Sequence, residues 1–146
     1  MLHSCLARGC LLGLALGCSL ASVAVRADEV SGEWSGYYTC AQGQTAFTLT
    51  VDATGYGTIE FGPHQDNPNI PSGAYQVTVG IEAANVRLDA GEWITRPSGY
   101  ATVGTDGVLS DDKQAITGRV DNASCSTFEL SRQEDGKDEK TVTGSA

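Results

Sequence analysis

From Gly32 onward, apolar side chains recur at every second position rather than every third or fourth. Over residues 32–40 one face holds Trp34, Gly36, Tyr38 and Cys40; over residues 46–52 it holds Phe47, Leu49 and Val51, with Thr48 and Thr50 opposite. The longest such run spans residues 74–82, where Tyr75, Val77, Val79 and Ile81 share a side. Shorter runs follow at residues 57–61, 86–88, 92–95, 100–103, 108–109 and 116–120, and Phe128 with Leu130 closes the set. Period two marks strands with one buried face, and no window carries a helical stripe. Asp52-Ala53-Thr54-Gly55, Asp89-Ala90-Gly91 and Thr105-Asp106-Gly107 are predicted hairpin connections, because Gly supplies positive φ and Asp bonds its own turn. The pattern predicts an all-β domain: a small antiparallel β-barrel or sandwich of about eight to ten short strands. A barrel has the advantage of leaving no exposed edges.

One connection breaks the rhythm. Residues 62–73 hold three of the four prolines together with His64, Ser72 and Gly73. Loops of such length in compact domains are commonly functional, and proline lowers the entropy lost when a loop docks on a partner. A second candidate is Thr95-Arg96-Pro97-Ser98-Gly99-Tyr100, which sets an arginine and a tyrosine beside a proline turn. Those two residue types often carry interface energy.

The chain ends read differently. Residues 1–9 carry Arg8 and no acid, residues 10–24 are apolar or small, and Val25-Arg26-Ala27 suits a cleavage site. This predicts a secretory signal over residues 1–27, too short in its apolar run to span a membrane, and a periplasmic or secreted mature protein. Leu14 to Cys18 ends in Gly-Cys but has Ala15 where a lipoprotein signal has leucine, which favours simple cleavage. Residues 28–132 form the predicted single domain. Residues 133–146 are polar and without period, and the expectation there is a disordered tail whose removal leaves stability unchanged.

Removing the signal sharpens the charge. The whole chain carries −9; losing Arg8 and Arg26 and no acid leaves −11. Such a chain has no electrostatic attraction for nucleic acid or an anionic membrane, and would be drawn to a basic protein. Of five cysteines, Cys5, Cys10 and Cys18 leave with the signal. Cys40 and Cys125 remain, and in an oxidising compartment they form the predicted disulfide.

Catalytic chemistry is sparse. The mature chain has one histidine, His64, and two cysteines committed to each other, so a nucleophile with an adjacent base, a zinc site or another cofactor site is not expected. Glu60, Glu82, Glu92 and Asp106 could supply a carboxylate pair for sugar hydrolysis if the fold brought two of them together, but acids this numerous are mostly solvated strand faces. Asn122-Ala123-Ser124 matches a glycosylation acceptor. A binder rather than an enzyme is expected, as a monomer or weak dimer with no cofactor and no membrane insertion.

Two resemblances give that expectation content. Gly32-Glu33-Trp34 resembles the Gly-x-Trp start of calycin-type barrels, the architecture of lipocalins, avidins and small periplasmic protease inhibitors. The order Tyr38-Thr39-Cys40, Ser72-Gly73-Ala74-Tyr75, Trp93-Ile94-Thr95-Arg96, then Cys125 is similar to that of periplasmic inhibitors of c-type lysozyme. That resemblance implies a small barrel whose loop serine and basic residue enter the lysozyme cleft, roles that fall here to Ser72 and Arg96. Arg96 replaces a lysine, the stretch between Tyr75 and Trp93 is longer than in that family, and Ser98-Gly99-Tyr100 is a rival loop. The expected target-binding residues are His64, Ser72, Gly73, Tyr75, Arg96, Ser98 and Tyr100. The expected partner is a peptidoglycan-cleaving enzyme, met either as an inhibitor of lysozyme or as an immunity protein. A calycin-like carrier of a small apolar ligand and a protease inhibitor acting through residues 28–31 are the alternatives.

Overall fold

The computed structural model describes residues 27–134. The expected signal peptide lies outside the described residues except Ala27, and the expected tail lies outside them except Gln133 and Glu134. After a 3₁₀ turn at Ala27–Glu29 come eight strands: β1 Gly32–Cys40, β2 Gly43–Val51, β3 Tyr56–Gly62, β4 Gly73–Glu82, β5 Asn85–Thr95, β6 Thr105–Leu109, β7 Ala115–Val120 and β8 Cys125–Arg132. Each pairs antiparallel with the next and β8 returns to β1, so the sheet is a closed barrel rather than a sandwich. Cys40 and Cys125 oppose each other in the closing β1–β8 pair and are bonded. Tyr38 faces Phe128 in the same pair.

The period-two faces point inward. Trp34, Leu49, Ile59, Leu88, Ile116 and Leu130 are fully buried, and Phe47, Phe61, Tyr75 and Phe128 join them. Aromatic edges interlock across the interior, with Tyr38 and Phe47 ring centres 5.4 Å apart and Phe47 and Phe128 6.3 Å apart. Gly107 faces inward because a Cβ there would stand 2.7 Å from the Phe128 ring.

Three local expectations are corrected. Asp89-Ala90-Gly91 is no turn: β5 runs straight through it. Tyr75 pairs with Trp93 but Val77 pairs with Ala90, so β5 carries one extra residue there. This bulge flips the parity of the strand and returns Trp93 to the side of Tyr75, with ring centres 5.4 Å apart. A Cβ at Gly91 would sit 3.0 Å from the Gln76 carbonyl, which accounts for glycine at the bulge. Thr105-Asp106-Gly107 begins β6 instead of turning. Residues 100–103 are irregular chain packed on the core, not a strand.

One barrel end is closed by the N-terminal segment. Val30 is fully buried there, and the Trp34 indole Nε1 donates to its carbonyl at 2.9 Å. Because the strands alternate direction, the connections β1–β2, β3–β4, β5–β6 and β7–β8 all gather at the opposite end, beside the disulfide. Both long loops, residues 63–72 and 96–104, are among them.

Candidate functional site

The β3–β4 loop is tied down by its own polar residues. His64 and Asn67 exchange backbone hydrogen bonds, 3.3 Å and 2.8 Å, and the Asp66 N–H donates to His64 Nδ1 at 3.1 Å. Asn67 Nδ2 donates to the Gln42 carbonyl in the β1–β2 turn, and Ile70 is buried. Three prolines restrict the conformations open to the rest of the loop.

The β5–β6 loop is built on aromatic rings. Tyr100 stacks on Phe61, with centres 5.6 Å apart and planes 18° apart, and Tyr75 Oη donates to the Val103 carbonyl at 2.9 Å. Arg96 Nε donates to the Tyr100 carbonyl at 3.2 Å, and its guanidinium lies 5.9 Å from the centre of the Trp93 ring. Gly99 turns the chain at φ +80°. The two loops touch: a Cβ on Gly73 would fall 2.5 Å from Phe61 and 2.8 Å from Pro97.

The seven expected contact residues separate into three groups. Ser72, Arg96 and Ser98 are exposed and free to meet a partner. Gly73 and Tyr75 are buried and shape the site from beneath. His64 and Tyr100 are half-buried. His64 stands edge-on to Tyr37 on the outer wall at 5.6 Å, whereas Tyr100 lines a cleft of about 360 Å³ with Tyr38, Gln42, Asn122, Ser124 and the disulfide. No protein-family model, curated protein or solved structure matches this chain.

Its chemistry is therefore that of its own side chains. Burial pushes the Tyr38 phenol up to about 12, the Thr45 hydroxyl pulling weakly the other way, and burial raises Tyr75 further still. Neither phenol can shuttle a proton near neutral pH. Among the described residues, no three His, Cys, Asp or Glu side chains gather to hold a metal ion. Sequence reasoning missed Gln42 and Asn67, which join two connections; Asn122, noted there only as a glycosylation acceptor, has a carboxamide that accepts the Ser124 N–H at 2.8 Å in the β7–β8 turn. The asparagine amid the prolines was the available signal for the first of these.

Proposed function

We propose that this chain is an exported binding protein whose disulfide-end loops engage and block a basic, peptidoglycan-cleaving glycosidase. The observation that carries the reading is the setting of Arg96. It is the one cation on the two long loops, it is exposed, and among the described residues no carboxylate pairs with it. Arg87 and Lys113, by contrast, are engaged by Asp89, Asp106 and Glu29. An acidic body steers the molecule to a basic enzyme. At contact, a pre-ordered guanidinium and the Ser72 and Ser98 hydroxyls present donors to a carboxylate-lined cleft.

Two observations favour this reading over its alternatives. The barrel interior is filled by core side chains, among them Trp34, Phe47, Phe61 and Phe128, which disfavours a carrier that holds its ligand inside. Residues 28–31, which a protease inhibitor would extend, are held at the closed end: Arg132 donates to the carbonyls of Glu29 and Ser31. The test is clearance of a cell-wall suspension by a panel of muramidases with the purified domain in excess. Slowing of at least one basic muramidase is expected; uninhibited clearance by every enzyme removes the reading.

A further inference from the structure

On the outer wall of β1–β3, away from the interior, lies a groove of about 640 Å³. Cross-strand register builds it. Tyr37, Ala46 and Gly62 form one row, and Ser35, Thr48 and Glu60 form the next. Ala46 and Gly62 leave a shallow floor. Tyr37 stands as one wall with the His64 ring edge-on at 5.6 Å, while Ser72 closes the end. Gly62 matters to that shape, since a Cβ there would lie 2.9 Å from Ser72 Oγ. His64 is fixed by the Asp66 N–H, and its side chain is only 15% exposed.

Among the described residues, the side chains of Ser35, Tyr37, Thr48, Glu60 and Ser72 make no hydrogen bond to another protein group. The polar side chains of Asp52, Ser110, Asp112 and Asn122, by comparison, are directed at turn amides; what sets this groove apart is the Tyr37–His64 wall over the Ala46 and Gly62 floor. The groove thus aligns unused hydroxyl donors and acceptors, one carboxylate without a cation, and an aromatic wall, and no lysine or arginine lines it. A ligand matching it presents several hydroxyl groups and C–H faces and bears no negative charge. We propose that this groove binds a neutral saccharide: Glu60 and the hydroxyls bond sugar hydroxyl groups, and a pyranose face packs on Tyr37. This goes beyond enzyme inhibition: the groove shares Ser72 with the proposed enzyme contact, but Tyr37, Ala46, Thr48 and Glu60 belong to the groove alone and Arg96 lies outside it.

The experiment is an amide chemical-shift titration of the isotope-labelled domain with chitotetraose, with maltotetraose, and with a uronic-acid tetramer as the charged counterpart. Saturable shifts centred on Tyr37, Ala46, Glu60, Gly62 and His64 are expected with a neutral probe, at affinities of about millimolar. Tyr37→Ala should weaken them about tenfold. Gly62→Ala, which fills the floor, should weaken them without loss of the folded spectrum, and Arg96→Ala should leave them unchanged. Absence of saturable shifts with both neutral probes overturns the proposal. So do shifts centred at the Tyr100 cleft, titrations indifferent to Tyr37→Ala and Gly62→Ala, or tighter binding of the acidic tetramer.

Discussion

The guanidinium of Arg132 lies 4.2 Å from the centre of the Trp34 ring, joining the last strand to the first at the closed end of the barrel. Its nitrogens donate to three carbonyls: Lys113 at 2.9 Å, Ser31 at 2.8 Å and Glu29 at 2.7 Å. One planar fork thereby ties the N-terminal turn, the β6–β7 connection and the Trp34 plug together. Only arginine has donors in that geometry. Arg132→Ala should lower unfolding free energy by about 2–4 kcal/mol in urea, with Arg132→Lys recovering little. A loss below about 1 kcal/mol would show that the plug holds without it.

Gly73 couples the two long loops. A methyl group there meets the Phe61 ring and Pro97, so Gly73→Ala should destabilise by about 1–3 kcal/mol and weaken the near-ultraviolet circular dichroism of the Phe61–Tyr100 stack. An unchanged spectrum and midpoint would mean that the loops dock independently.

The disulfide joins residues 85 apart. By chain-entropy reasoning it contributes about 4–5 kcal/mol, so the Cys40→Ser, Cys125→Ser double variant should lose most of that in equilibrium unfolding. The wild-type domain from residue 28 onward should gain about two daltons on reduction, and equal masses would contradict the bond.

Tyr38 supplies a pH signature. Its folded-state value, about 12 against an ordinary 10.0, is raised by burial. The fold favours the neutral phenol, so this contribution is full below about pH 10 and is lost as pH climbs through 10 toward 12. Allowing for its partial exposure, the loss is about 1–2 kcal/mol, with burial of Tyr75 acting in the same direction. Tyr38→Phe should therefore lose less stability than wild type between about pH 9 and pH 11 by urea denaturation. Equal losses would assign the alkaline instability elsewhere.

Much of this architecture was legible because burial on one face leaves a periodic trace. Residues 75–82 alternate without a break within β4, and Asp52 to Gly55 is a turn whose Asp52 carboxylate accepts the Thr54 and Tyr56 N–H groups. What was not legible depends on partners distant in sequence. Asp89-Ala90-Gly91 has the local chemistry of a turn, but pairing of Ala90 with Val77 and of Asp89 with Thr78 keeps it in the strand, with the bulge beside it. Gly107 answers to Phe128, not to a hairpin. The turn at Ala83 has no glycine yet adopts φ 54°. Runs of alternating residues such as Tyr100–Val103 lack a neighbour to pair with and become a plug held by Phe61 and Tyr75. At the site, Ser72, Arg96 and Ser98 were visible as loop residues and the period-two run put Tyr75 on a buried face, but the burial of Gly73 beside them was not legible. Arg132 left no signal, because a lone arginine at a strand end looks like any solvated charge.

The central claim is that the disulfide-end loops are the contact surface for a cell-wall glycosidase. It is tested most directly by titrating a muramidase that the wild type slows with Arg96→Ala, Ser72→Tyr and, at the opposite end of the barrel, Glu82→Gln. Arg96→Ala should weaken inhibition by about 1.5–3 kcal/mol, Ser72→Tyr should abolish it with the fold intact, and Glu82→Gln should inhibit as the wild type does. Equal inhibition by wild type, Arg96→Ala and Ser72→Tyr would contradict the account.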